Sequence, residues 1–536
     1  MSQFIRIQLS KFAPFACLTV VSAIAQTPPV NEWGNLTAQA TDAFSRGAYI
    51  ESERLHSAAL TIAEKLEPSD DRLAASLSNV ATVYRAQGRY PEAEKLYRRA
   101  LELREGNFGA GHPEVAVVVN NLATLYHAEG RTADAEPLFR RALAIWEQFP
   151  GQEDRHVATV LNNLAGIYRV TARFDEADRF YHRALELFQK ASGPEDINVA
   201  LVFCNLGVLY QNEGKYEAAA QLHLRALAIR ERALGPDHPD VAAALSNLGD
   251  AYRSQWKLSE AQSLYQRALS IREKALGPNH PQLAETLNSL AVLYKTQERY
   301  TEAEQLSRRA LAIIEKTLGP GHPRIAVALN NLGQMAAAQG KYAEAKRFYE
   351  QAIPIWEKAL GTDHPDLASG LISLASLYQT RHKYAEAEAL YQRALRIQEH
   401  HLGPMNATVG MSLNNLATVA FARHMYGDAE ELYRKSIAIL EAQGPDTPGL
   451  ADPLLNLGQL YVVQHRFADA APLFKRALPL REVALGSFHP KLAEAIERYV
   501  MVLRKLEDYA EAEKLQARAT SIRVKTALRA DSGEGD

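Results

Sequence analysis

Apolar residues recur along this chain in two alternating helical patterns, and the pair of patterns returns every 42 residues. In one representative unit, Leu245, Leu248, Gly249 and Tyr252 stand at i, i+3, i+4 and i+7, which is one face of an α-helix. A second helical pattern follows a short turn, as in residues 342–353. Each unit is therefore predicted to be a pair of helices.

A small residue in the second helix marks this frame, and nine of the ten intervals between successive markers are 42 residues long. Such a constant period is typical of a solenoid, in which each unit buries its apolar face against its neighbours. The sequence predicts one all-α array over residues 36–529, with about eleven full units after a partial first one. The markers are Ala93, Ala135, Ala177, Ala219, Ala261, Ala303, Ala345, Ala387, Ala429, Ala470 and Ala512.

The loops between units repeat the motif Leu-Gly-x-x-His-Pro. Glycine ends helices and proline is favoured at the first helical position, so the motif predicts a helix stop followed by a helix start. Metal ligands must converge on one ion, whereas these histidines occur once per unit, and the adjacent His400 and His401 are interpreted in the same way. No metal ion or cofactor is predicted. The motif histidines are His238, His280, His322, His364 and His489.

The two ends of the chain depart from the frame. Arg6 and Lys11 precede a short apolar stretch from Phe12 to Ala25 that ends in Ala23-Ile24-Ala25, which predicts a cleaved signal peptide over residues 1–25. The stretch is too short and too interrupted to predict a stable membrane span. Residues 26–35 are predicted to be a linker and residues 530–536 a flexible tail. A secreted or periplasmic location follows, with a cytoplasmic one as the alternative if the leader is retained.

Charge and motif content restrict the function. The net charge of -3 does not favour nucleic acid. An arginine recurs in the second helix, as at Arg99, Arg267 and Arg309, with an acid seven residues before most of them, and salt bridges between units are the predicted use. No phosphate loop, dinucleotide, zinc-protease, serine-hydrolase or C-x-x-C motif occurs, so no enzyme is predicted.

The units resemble the tetratricopeptide repeat (TPR), through residues such as Asn247, Leu248, Tyr252, Ala261 and Tyr265. Their length and the His-Pro loop are similar to the 42-residue form found in kinesin light chains. The resemblance implies a right-handed superhelical solenoid with a concave groove. It also implies a scaffold that binds an extended peptide or a partner protein.

In TPR proteins the position before the core leucine of the first helix faces the groove, where asparagine hydrogen-bonds the peptide backbone. An alternative interpretation is that these amides tie neighbouring helices together, since an amide both donates and accepts. In this chain the position holds Asn79, Asn121, Asn163, Asn205, Asn247, Asn331, Asn415 and Asn456, with Ser289 and Ser373 in two other units.

Six positions further along, the groove changes from basic to apolar. Arg85, Arg169, Arg253 and Lys295, with His127 and Gln211 between them, precede Ala337, Gln379, Phe421 and Val462. A partner with acidic and apolar segments is predicted, while a solvated face with ordinary variation remains the alternative. Two other functions stay open: a cytoplasmic cargo adaptor like the kinesin light chain, and a self-assembling envelope component with an empty groove. The oligomeric state is not predicted.

Overall fold

The computed structural model describes residues 28–67, 70–149, 154–445 and 447–531, and the regular structure within these ranges is helical. The leader predicted for residues 1–25 lies outside them. Among the described residues, no helix is both long and apolar enough to cross a membrane. In chain order the helices are α1 Pro28–Ser45, α2 Tyr49–Ala63, α3 Asp71–Ala86, α4 Tyr90–Phe108, α5 Pro113–Ala128, α6 Thr132–Trp146, α7 Asp154–Val170, α8 Phe174–Ser192, α9 Ile197–Asn212, α10 Tyr216–Leu234, α11 Pro239–Ser254, α12 Leu258–Leu276, α13 Pro281–Thr296, α14 Tyr300–Leu318, α15 Pro323–Ala338, α16 Tyr342–Leu360, α17 Pro365–Thr380, α18 Tyr384–Leu402, α19 Ala407–Ala422, α20 Tyr426–Glu441, α21 Ala451–Val463, α22 Phe467–Leu485, α23 Pro490–Lys505 and α24 Tyr509–Asp531.

Each odd-numbered helix packs against the even-numbered helix that follows it, and each pair packs against the next pair. We call the first helix of a pair helix A and the second helix B. The described chain is thus a continuous stack, with α1 and α2 as the N-terminal pair and eleven pairs after it. The predicted all-α solenoid is confirmed.

The array begins earlier than the sequence suggests. Helix α1 starts at Pro28, so the part of the predicted linker that the structure describes, residues 28–35, is helical. Proline is tolerated in a first turn because the N–H groups there have no partner inside the helix. Ser52 replaces the marker alanine of this pair, is buried, and donates its hydroxyl to the Ala40 carbonyl at 2.8 Å. At the other end, α24 reaches Asp531, two residues into the predicted tail.

The core lies where helix B crosses helix A. The marker alanines from Ala93 to Ala470 are fully buried, because only a small side chain fits this crossing. Gly249 shows how close the helices are: a Cβ atom there would lie 2.8 Å from the Tyr265 ring. The small residues that recur with the frame of the sequence therefore lie at the packing contact between helix A and helix B.

The turn between helix A and helix B contains a left-handed residue in each of the twelve described pairs. Gly88 and Gly340 meet the need with φ of +72° and +74°. Ala172 and Glu298 occupy the same place with φ of +58° and +61°, although neither is glycine. A side chain in this conformation costs roughly 1–2 kcal/mol, so these turns are held by the packing of the two helices.

The loop between pairs is built as the motif predicts. Gly319 follows α14 with φ of +83°, and Pro323 is the first residue of α15. The Nδ1 atom of His322 accepts a hydrogen bond from the backbone N–H of Arg324 at 3.1 Å, which caps the helix. One loop uses Asn406 instead, whose Oδ1 accepts from the N–H of Thr408 at 2.9 Å. The motif histidine is therefore an N-cap residue.

The stack also curls back on itself. Turns between helices A and B meet the His-Pro loops of pairs far along the chain, and we call this contact surface the seam. The seam contacts are Gly47 with His280 and Pro281, Gly88 with His322 and Pro323, Gly130 with His364 and Pro365, Gly214 with Pro448, and Trp256 with His489.

At the seam the second ring nitrogen of the histidine finds a partner. His322 Nε2 lies 3.3 Å from the carbonyl oxygen of Ala86, which is 236 residues earlier in the chain. His280 Nε2 lies 3.4 Å from the Ser45 carbonyl in the same way. A Cβ atom on Gly88 would lie only 2.9 Å from Pro323 Cδ, so glycine serves the close approach as well as the turn.

Candidate functional site: the inner surface of the stack

The A helices line the inner side of the curved stack. Helix α11 packs against α9 and α13, and α15 packs against α17, in addition to their own B partners. Helices on the inside of a curve lie closer together than those outside it. The inner surface is therefore the place to look for the predicted binding residues.

Part of the asparagine series connects adjacent A helices. Asn163 Nδ2 donates to Asn120 Oδ1 at 3.0 Å, and Asn205 Nδ2 donates to Asn162 Oδ1 at 2.8 Å. Near the C-terminal end, Asn456 Nδ2 donates to the Oδ1 of its neighbour in α19, Asn414, at 2.9 Å. These three amides act between units, as the architectural interpretation of the series predicts.

Burial divides the series further. Asn121, Asn163 and Asn205 are at most 5% exposed, whereas the other five members are half-buried. Contact between these asparagines and a bound peptide stays a prediction. The half-buried asparagines can make that contact without a movement of the surrounding helices. They are Asn79, Asn247, Asn331, Asn415 and Asn456.

The predicted basic residues differ in how much of their charge is available. The Arg253 side chain is 5% exposed and its Nη2 lies 3.5 Å from Asp250 Oδ1, so this charge is largely neutralised. Arg85 and Arg169 are half-buried. Lys295 is also half-buried, and its Nζ donates to Gln334 Oε1 at 2.8 Å. Three of the four predicted cations therefore keep a partly accessible charge.

His127 adds no charge to this row at neutral pH. It is 7% exposed, and burial, helped by the positive charge of Arg169, lowers the pKa of His127 to about 3. The imidazole is thus neutral, and the basic stretch rests on Arg85, Arg169 and Lys295.

The C-terminal part of the same row is less polar. Ala337, Phe421 and Val462 are half-buried apolar residues. Gln379 lies between them, donates to Thr418 Oγ1 at 3.0 Å and accepts from the Tyr391 hydroxyl at 3.1 Å. The inner surface therefore carries a basic half and an apolar half, each interrupted by amides.

The arginine series on helix B forms salt bridges between units, as predicted. Arg267 reaches Glu231 and Arg309 reaches Glu273, each at 2.6 Å and across to the preceding B helix. The partners are not the acids seven residues earlier; Glu302, for example, pairs with Arg299 at 2.5 Å. Because the arginines are more than a third exposed, each pair contributes at most about 1 kcal/mol.

Sequence reasoning missed one cluster that lies at the seam. Asp363, His400 and His401 bring three potential metal-ligand atoms within 4.8 Å of one another. The available signal was local: His400 stands where other units have lysine, as at Lys274, and His401 stands where they have alanine, as at Ala275. The spacing did not reveal the cluster because Asp363 comes from the preceding loop.

A curved stack of helix pairs with a continuous inner surface defines an α-solenoid, the class of repeat protein that presents a long concave surface to partners. The family model of the tetratricopeptide repeat matches residues 35–105, 72–148, 156–232, 199–274, 257–316, 286–358, 324–400, 408–482 and 454–525. The chain belongs to the tetratricopeptide repeat family. Its fold supports a role as a protein-interaction scaffold.

Solved structures with similar sequence include a putative kinesin light chain with TPR-like repeats. The crystal structure of BtubC (BKLC) from P. vanneervenii is 29% identical over 47% of this chain and 94% of that chain, with a TM-score of 0.34. A putative kinesin light chain of Podosopora anserina with nearly identical TPR-like repeats is 28% identical over 38% of this chain and 98% of that chain, with a TM-score of 0.33. No curated protein matches the chain.

Proposed function

We propose that the protein is a non-enzymatic scaffold that binds an extended polypeptide segment along its inner surface. The observation that carries this proposal is the row of half-buried amides and cations on seven of the A helices between α3 and α21. Amides pair with the N–H and C=O groups of an extended backbone, because they donate and accept at once. Membership of the TPR family favours a protein as the partner, and the amides and cations of the row favour hydrogen bonds with its backbone and its acidic side chains.

The segment that best fits this surface carries acidic residues at one end and apolar residues at the other. Arg85, Arg169 and Lys295 can form charge-assisted hydrogen bonds with carboxylates. Phe421 and Val462 offer apolar contact at the other end. The buried members Asn163 and Asn205 connect α7, which presents Arg169, to α5 and α9.

A peptide-display selection against the purified chain tests the proposal. We expect enriched peptides to combine acidic and apolar residues and to bind with one-to-one stoichiometry in fluorescence polarisation. The double variant Arg169→Ala/Lys295→Ala should weaken binding by at least about tenfold, because each charged hydrogen bond contributes about 1.5–3 kcal/mol. The matched control Arg309→Ala removes an arginine from helix B and should leave affinity unchanged. The proposal fails if the two variants behave alike, or if no peptide is enriched.

Two further parts of the proposal concern location and self-assembly. We propose export with cleavage before Gln26, supported by the basic and apolar pattern of residues 1–25. N-terminal sequencing of protein from its native source tests this, since an intact leader favours the cytoplasmic adaptor instead. Sedimentation equilibrium tests the structural alternative: a large homo-oligomer that binds no selected peptide would favour an assembly component.

A further inference from the structure

The cluster Asp363, His400 and His401 joins two parts of the chain. His400 and His401 lie in the last turn of helix α18, and Asp363 lies in the loop after α16. His400 Nδ1 is 2.6 Å and His401 Nε2 is 3.2 Å from the same carboxylate oxygen, Asp363 Oδ2. Among the described residues this is the one group of three histidine, cysteine or carboxylate side chains whose ligand atoms converge.

The cluster replaces an ordinary ion pair. In the corresponding slots of an earlier unit, Lys274 Nζ lies 3.4 Å from Asp237 Oδ2, and Ala275 takes the place of His401. The change to two imidazoles removes the permanent positive charge of the lysine. It also places two nitrogen atoms that can bind a metal ion beside the aspartate, Asp363. Solubility and helix packing do not require that change, because other units manage without it.

The contact of His401 with the seam fixes the direction of its lone pair. His401 Nδ1 lies 3.1 Å from the carbonyl oxygen of Gly130, 271 residues earlier. A carbonyl only accepts, so Nδ1 must donate, and the neutral ring then points a lone pair from Nε2 at Asp363 Oδ2. Two acceptors at 3.2 Å repel each other unless a cation lies between them. A histidine held through its other nitrogen by a backbone carbonyl is the usual second-shell arrangement of a metal ligand.

We propose that Asp363, His400 and His401 form a binding site for a divalent transition-metal ion, with Zn²⁺ as the representative. Two imidazoles and one carboxylate suit zinc, and they suit calcium or magnesium poorly because those ions prefer all-oxygen ligands. Ligand atoms of a tetrahedral zinc site lie about 3.3 Å apart when the bonds are about 2.0–2.1 Å long. The distance of 3.2 Å from His401 Nε2 to Asp363 Oδ2 already fits this spacing, whereas the distance of 2.6 Å from His400 Nδ1 to Asp363 Oδ2 has to lengthen when the ion binds. The exposed side of the cluster leaves a fourth position to water. Because His401 also holds Gly130, the ion joins two consecutive units to the seam.

Isothermal titration of the tag-free full chain with ZnCl₂, after removal of metal by chelation, tests the site. We expect one saturable site per chain in the wild type. His400→Ala, His401→Ala and Asp363→Ala should each weaken zinc binding by at least about tenfold, since loss of even an outer-shell partner costs about 10- to 100-fold. The matched control is His182→Ala, which removes an exposed histidine whose Nδ1 lies 3.3 Å from Asp178 but which has no second imidazole. That control should bind zinc like the wild type.

Fold and ligand identity have their own readouts. Circular dichroism without zinc checks that each variant is folded. His401→Ala also removes the seam contact with Gly130 and can destabilise the chain, whereas His400→Ala leaves that contact in place and so tests the zinc site alone. X-ray absorption at the zinc edge should show two imidazoles in the wild type and one in His400→Ala. The proposal is overturned if the wild type shows no saturable binding, or if His400→Ala/His401→Ala binds zinc as the wild type does. The cluster is then only a hydrogen-bonded group of one acid and two histidines.

Discussion

Two sets of residues recur once per unit in this molecule, and the structure uses them differently. The loop histidines cap one helix and, at the seam, reach a turn passed more than 230 residues earlier. The asparagines of the inner surface reach the adjacent A helix, 42 or 43 residues away. A sequence period predicts contacts between adjacent units of the stack. It does not predict which distant units meet after one superhelical turn. The seam was therefore invisible from the sequence, whereas the amide contacts were among the stated alternatives.

The largest expected effect comes from crowding the seam. Gly88→Ala places a methyl group 2.9 Å from Pro323 Cδ and also strains a turn with φ of +72°. We expect a loss of about 2–5 kcal/mol from the two causes together, measured by chemical denaturation. Small-angle X-ray scattering should show a larger radius of gyration.

Gly340→Ala is the matched control, because its φ is +74° and a methyl group there would meet no atom within 4 Å. This variant should lose only the turn contribution, about 1–2 kcal/mol, and keep the wild-type radius. Equal losses in the two variants would show that the seam contributes nothing to stability.

The next largest effect concerns the amides between A helices. Asn163→Ala removes the donor for Asn120 Oδ1, and Asn120 is fully buried. We expect a loss of about 1–3 kcal/mol in chemical denaturation, because a buried acceptor is left without its partner. Asn331→Ala changes a half-buried member of the same series and should reduce peptide affinity with a smaller change in stability. The reverse pattern would assign binding to the buried members.

Acid should weaken the seam through its histidines. Burial lowers the pKa of His322 to about 3 and of His489 to about 4, the latter helped by Lys491 and Arg481. The unfolded chain therefore binds these protons first, and stability falls as the pH drops from about 6.5 towards 4. Each such histidine contributes a slope of up to about 1.4 kcal/mol per pH unit.

Asp366 gives the stability of the fold the opposite pH dependence. Burial raises the pKa of Asp366 to about 7, so the folded chain takes up this proton before the unfolded chain does.

The variant His322→Asn/His489→Asn tests the role of the two histidines, because asparagine copies the helix cap that Asn406 forms naturally. The measurement is denaturation at several pH values between 7 and 4. We expect a shallower acid loss in this variant, and an unchanged slope would contradict the role given to the two imidazoles.

The smallest expected effect is a gain. Ala172→Gly relieves a left-handed alanine in a turn between helix A and helix B, where other units have glycine. We expect about 1 kcal/mol of stabilisation in chemical denaturation, with no change in peptide affinity. A loss of stability would mean that the cost of glycine flexibility in the unfolded chain exceeds the relief of strain.

Most of the fold could be predicted because it depends on local pattern. The alanine markers, the glycine turns and the His-Pro loops each report packing within one or two units. Pro28 and Pro29 are ambiguous in the sequence because proline fits both an extended segment and the first turn of a helix, which is where the structure has them. Glu298 gave no sign of its left-handed conformation, since packing of the two helices imposes it.

The candidate sites depend on contacts between distant residues, so less of them could be predicted. The side-chain type of Asn163 was informative, but its use between helices depends on the position of Asn120. Arg253 was predicted to be available, and its proximity to Asp250 changes that assessment. Asp363 became a candidate ligand only when the fold placed it beside His400 and His401.

The most direct test of the scaffold function is photo-crosslinking with a selected peptide that carries a diazirine, followed by mass-spectrometric mapping of the modified residues. Crosslinks on the A helices, around Arg169, Lys295 and Asn331, are the predicted result. Crosslinks confined to the B helices or to the His-Pro loops would contradict the assignment of the inner surface as the binding site.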